Sequence, residues 1–116
     1  CALPILLVVG DFNDTREAKP IRTVIGRGRG ALVDLRPEEA TRASADAPFQ
    51  RLGTNVTWTY FYNREDTYSR FDYVLANRVL AARVVPERTC VFALPWWRAA
   101  SDHRAVLATF ALPPEK

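Results

Sequence analysis

A domain of mixed α and β structure, α+β in kind with strands joined by short helices and turns, is the fold class this sequence predicts. Three observations predict it. The apolar run Ile5-Leu6-Leu7-Val8-Val9 has the composition of a buried strand. "NVTWTYFY", residues 55–62, is β-branched and aromatic, and "YSRFDYVLAN", 68–77, follows it after the turn residues "NRED". Ahead of these, Ile21, Val24 and Ile25 have the i, i+3, i+4 spacing of a short amphipathic helix.

In chain order, the first strand is expected over residues 3–9, stopping at Gly10. Pro20 to Ile25 follow as a helix, with proline acceptable in its first turn. "GRGRG", 26–30, lacks the Lys-Ser/Thr and the preceding strand of a phosphate-cradling loop, and reads as a flexible basic connector. "RPEEATRA", 36–43, predicts a second helix with Glu38 and Glu39 in its favourable first turn. Residues 44–54 read as loop. Trp58, Tyr60 and Tyr62 share a face of the next strand, which pairs in a hairpin with 68–77. Residues 83–85 and 88–93 are weaker strands interrupted by Pro86, and 103–112 is a last apolar strand. The expected result is mainly one mixed or antiparallel sheet with short helices.

With 116 residues the chain suits one domain, 1–116, able to bury about two-thirds of its unfolded surface. No apolar run approaches the roughly 18 residues of a membrane span. The net charge of +3 rests almost wholly on arginine, a mild bias compatible with anionic substrates. Cys1 and Cys90 form neither a disulfide framework nor a metal-ligand spacing. The chain has no methionine and opens almost directly on a core strand, whereas an intact domain usually begins with a polar lead-in. It therefore reads as a piece of a longer chain.

Three strand ends carry an unusual load of polarity. The first strand runs into Asp11, Asn13 and Asp14; one strand opens at Asp72; the last opens at Ser101-Asp102-His103. If strand geometry persists past Gly10, Asp11 and Asn13 face one side while Phe12 turns to the other. Phe71 and Tyr73 likewise share a face, leaving Asp72 on the opposite one. A carboxylate opening a hydrophobic strand is costly to bury without a partner, and His103, the chain's single histidine, is the candidate. Each stretch taken singly is ordinary turn chemistry. Their joint appearance, each at a strand edge, fits a phosphoester site. Carboxylates and an amide oxygen suit Mg²⁺ or Mn²⁺, which prefer hard oxygen ligands. A His–Asp pair fixes the imidazole tautomer and favours a cationic donor to phosphate.

Through "VVGDFND" (8–14), "TWTYFYNREDTYSRFDYVLAN" (57–77) and "SDHRAVLATF" (101–110), the sequence resembles the endonuclease/exonuclease/phosphatase superfamily, the DNase I-like metal-dependent phosphoesterases. The resemblance implies a four-layer α/β/β/α sandwich of which this chain is the C-terminal half. It implies that Asp11 orients or deprotonates the attacking water, and that Asn13 contacts the phosphoryl group near the metal. Asp102 would be a metal or water ligand, and His103 would stabilise phosphoryl oxygens or act as acid/base, oriented by Asp72. Metal contacts would thus come from Asp11, Asn13 and Asp102, with Mg²⁺ or Mn²⁺ as cofactor. An asparagine and a metal-binding glutamate of the family's N-terminal half have no counterpart here, so the segment alone is expected not to turn over substrate.

The expected activity is therefore phosphoester hydrolysis, with phosphodiesters preferred and nucleic acid among the candidate substrates. Trp96 and Trp97, just before the catalytic pair, either flank the substrate or cap the core beneath their loop, the second being favoured. Two competing expectations are a non-catalytic binding module that keeps the fold, and a half-domain completed by a partner chain.

Overall fold

The structure, a computed structural model, describes residues 4–114. Cys1 and residue 3, where the first strand was expected to begin, lie outside them. The elements in order are β1 (Leu7–Asp11), α1 (Lys19–Ile25), β2 (Val33–Asp34), β3 (Glu39–Thr41) and β4 (Gln50–Arg51). Then come β5 (Tyr60–Tyr62), β6 (Thr67–Ser69), β7 (Asp72–Ala76), α2 (Arg78–Ala81), β8 (Cys90–Phe92) and β9 (Val106–Leu107). Among the described residues, no helix is long and apolar enough to cross a membrane.

The class is α+β, and the strands divide among sheets where one main sheet was expected. The first sheet has the order β1-β7-β2, antiparallel throughout. The second has the order β4-β3-β8-β9, with β3 and β8 parallel. β5 and β6 form a separate hairpin. The division has a local cause at Arg70 and Phe71, where the segment expected as one return strand breaks into β6 and β7. There the Thr59 hydroxyl accepts the N–H groups of Phe71 and Asp72 at 3.0 and 3.2 Å. β6 stays with β5, while β7 moves between β1 and β2.

One core lies beneath α1. Ile21 and Ile25 pack with Leu32, Tyr73 and Leu75, and Val8 and Phe12 close against them. Burying a side chain such as Ile21 contributes about 1.5–3 kcal/mol, and the helical spacing of Ile21 and Ile25 puts both on the sheet side. Because strand side chains alternate, Asp72, Val74 and Ala76 of β7 face away from α1. This alternation carries Asp72 to the site.

"RPEEATRA" does not form the expected helix. Arg36 takes a left-handed φ of 42°, Pro37 is buried, and Glu39–Thr41 runs as β3 with Ala40 buried against β8. Helix propensity here loses to pairing on both sides of β3. Residues 44–54 are mostly loop, as expected, apart from the two residues of β4. The basic connector contains a turn of 3-10 helix at Gly28–Gly30. Residues 83–85 contribute a single bridge from Val84 to Phe110, and 88–93 contains β8. The last strand is paired only in pieces: β9, with bridges at His103 and Phe110. α2 was not anticipated; Asn77 caps it by accepting the Leu80 N–H at 3.2 Å.

Candidate active site

The register of β1 on β7 sets Asp11 directly opposite Asp72. β1 runs through Gly10, with a φ of 148°, and ends only after Asp11. The Phe12 N–H still bonds the Phe71 carbonyl at 2.9 Å, and its ring meets Tyr73 edge-on. At Asn13 the strand ends: φ is 51°, and the Asn13 N–H donates to Asp11 Oδ1 at 2.7 Å. Asn13 therefore sits in an Asx turn instead of extending the strand, and the turn fixes one oxygen of Asp11. Its other oxygen is free to face His103.

His103 enters from a different segment, held by a bridge to Tyr60. The next residue, Arg104, donates its backbone N–H to Thr59 at 2.7 Å. The imidazole lies against the Tyr60 ring, centroids 5.0 Å apart, and Tyr60 in turn stacks on Phe71. Nδ1 lies 2.7 Å from Asp72 Oδ2. A carboxylate only accepts, so Nδ1 carries the proton, and Nε2 is directed toward Asp11 Oδ2 at 3.7 Å. Partial burial pulls the His103 pKa down. The hydrogen bond to Asp72 and the charges of Asp72, Asp11 and Asp102 more than reverse this, so the pKa is raised above its ordinary value.

Asp11, Asp72 and His103 each bring a donor atom within 4.8 Å of the others, a grouping able to hold a metal ion. Two carboxylates and one imidazole suit a divalent cation. Asp102 is solvent-exposed and stands outside this trio, acting on His103 only through its charge. Asp72 and His103 also line an apolar groove of about 950 Å³, walled by residues including Leu7, Val9, Val74 and Leu107. Trp96 and Trp97 both border it. Trp97 packs edge-on against Trp58 with centroids 5.7 Å apart, whereas Trp96 is 64% exposed.

The family model that matches, described as Endonuclease/Exonuclease/phosphatase family, covers residues 3–103 and so includes Asp11, Asn13, Asp72, Asp102 and His103. The chain belongs to that family. Neither the curated proteins nor the solved structures compared with it contain a significant match. Membership in the endonuclease/exonuclease/phosphatase family places the chain among phosphoesterase-type hydrolases, and the Asp11–Asp72–His103 trio is a possible metal site within it.

Two residues, Thr59 and Arg104, take supporting roles that the sequence alone does not assign. Thr59, fully buried, ties β7 to the segment before β5 and so fixes where Asp72 begins. Arg104 is 3% exposed, donates to Glu39 at 2.9 Å and to the Phe92 and Trp58 carbonyls, and lies 3.9 Å from the centroid of the Trp58 ring. An arginine beside the histidine in an apolar strand was the available signal, since such a charge requires a buried partner.

Proposed function

We propose that these residues form the catalytic end of a divalent-cation-dependent phosphodiesterase, and that the ion is Mg²⁺ or Mn²⁺. The observation that carries this reading is the placement of His103 between two carboxylates, with Nδ1 on Asp72 and Nε2 toward Asp11. Asp11 orients the attacking water and takes its proton. Asn13, in the turn beside it, contacts the phosphoryl group. His103, held in one tautomer by Asp72, supplies positive charge and a donor to the phosphoryl oxygens. Asp72 and His103 are engaged with each other, so Asp11 would hold the ion with Asn13 and Asp102 in their place, and the ion when bound would neutralise charge developing on the phosphoryl oxygens. Trp96 and Trp97 would flank the substrate, with a nucleic acid the favoured phosphodiester.

We further read the chain as the C-terminal half of a sandwich that turns over only together with the N-terminal half. The apolar side chains left exposed on β1, Leu7 and Val9, support this reading. The test is hydrolysis of bis(p-nitrophenyl) phosphate by the polypeptide that joins both halves. The expected result is activity that requires Mg²⁺ or Mn²⁺ and falls about 10²–10⁴-fold in His103→Ala. Equal rates with and without the imidazole would sink the assignment.

A further inference from the structure

On the opposite face of the first sheet from the Asp11–Asp72–His103 cluster, α1 borders a recess of about 620 Å³. Arg16, Lys19, Arg22 and Arg27 line it, together with Thr23, Ile25 and Gly26, and no carboxylate does. Glu17, the acid closest in sequence, is not among the lining residues. Arg16 reaches Asp34 at 3.4 Å, but that carboxylate is already held by both terminal nitrogens of Arg70 at 2.8 and 2.6 Å. Lys19, Arg22 and Arg27 form no ion pair among the described residues. Cations gathered around one concavity raise its positive potential, and an anion there relieves their mutual repulsion.

We propose that this recess is a phosphate-binding site, separate from the catalytic cluster, that takes the phosphodiester backbone of a nucleic-acid strand. Arginine presents a planar fork of donors that matches phosphate oxygens, and three of the four cations are arginines. The cations are spread along the element as well. Arg16 precedes α1, Lys19 and Arg22 lie within its seven residues, and Arg27 follows it. Seven helical residues extend about 10 Å, while one strand of a duplex carries a phosphate about every 3.4 Å of axis. The span fits a run of phosphates better than one free ion. A membrane surface would call for a broad exposed apolar face, and on the exposed side of α1 the large apolar residue is Val24. "GRGRG" thereby acquires a role through Arg27, with Gly26 closing the end of the helix at a φ of 76°.

The test is fluorescence anisotropy of a labelled 12-base-pair DNA duplex with the 116-residue chain in EDTA, across a series of salt concentrations. Arg22→Gln/Arg27→Gln is compared with Arg78→Gln/Arg88→Gln, which removes equal charge from exposed sites elsewhere. In the recess variant, affinity at low salt is expected to fall about tenfold and the salt slope by about 0.9 per arginine. The control pair should bind like the wild type. Equal losses in both arginine pairs would show only a net-charge effect and overturn the proposal. So would a wild-type chain that ignores the duplex but binds phosphatidylserine vesicles. With no divalent ion present, the result stands whether or not the cluster hydrolyses phosphoesters.

Discussion

Asp11 and Asp72 are cross-strand partners, so two carboxylates meet where β1 ends and β7 begins. Like charges directly opposite destabilise an antiparallel pair. His103 relieves the conflict by lying 2.7 Å from one and 3.7 Å from the other. The juxtaposition therefore depends on a residue from a distant part of the chain, and the site exists only once three segments have assembled.

The charge state of His103 should report that assembly. Its folded pKa is raised above 6.5 although burial pulls it down, because the hydrogen bond and the surrounding carboxylates outweigh burial. A raised folded pKa contributes stability that is fully present below the unfolded value and is lost as pH rises through the folded one. In metal-free protein, an NMR titration of the His103 ring should give a midpoint above 6.5. Asp72→Asn should lower it. A midpoint unchanged by that substitution would mean the short contact does not set the proton.

Thr59→Val should loosen the start of β7 without touching a reacting group. The substitution keeps the side-chain volume but removes the acceptor for the Phe71 and Asp72 N–H groups. Leaving such buried donors unpaired costs about 1–3 kcal/mol. Urea unfolding should show that loss, and the His103 midpoint should move toward its ordinary value as Asp72 shifts. Loss of stability with an unmoved midpoint would confine Thr59 to the fold.

The partnership of Asp72 with His103 was legible because a carboxylate that opens a buried strand needs a partner, whereas β1, expected to be buried, leaves Leu7 and Val9 exposed ahead of Asp11. The turn at Asn13 was less legible. Strand alternation alone would carry Asn13 onto the face of Asp11, but the Asx bond to Asp11 competes with the strand and wins. "RPEEATRA" misled because its local helix signals are sound, while the deciding partners, β8 and Arg104, lie some fifty residues or more downstream. The break between β6 and β7 left no sequence mark, because one threonine hydroxyl from the preceding segment makes it.

Arg104 should prove structural, and its partner should reveal how. With its side chain buried and Glu39 beside it, Arg104→Met leaves a carboxylate without its cation. Breaking such a pair on one side costs about 3–5 kcal/mol. Adding Glu39→Leu removes the stranded charge, so the double variant should be more stable than Arg104→Met alone. Recovery should stay incomplete, since the Phe92 and Trp58 carbonyls still lack their donor. Urea midpoints for the two variants decide the matter, and a double variant less stable than the single would refute the pairing.

Asp11 offers the sharpest separation of folding from ion binding. Its side chain is 47% exposed, and its carboxylate opposes Asp72, so Asp11→Asn eases repulsion while the amide oxygen can still accept the Asn13 N–H. Metal-free stability should change little. An ion that binds only the native state stabilises it by about 2.7 kcal/mol at roughly a hundredfold excess over Kd. Thermal melts with added Mn²⁺ should therefore shift upward for the wild type and much less for Asp11→Asn. The same upward shift in both proteins would remove Asp11 from the ligand set, leaving it at most the orientation of water.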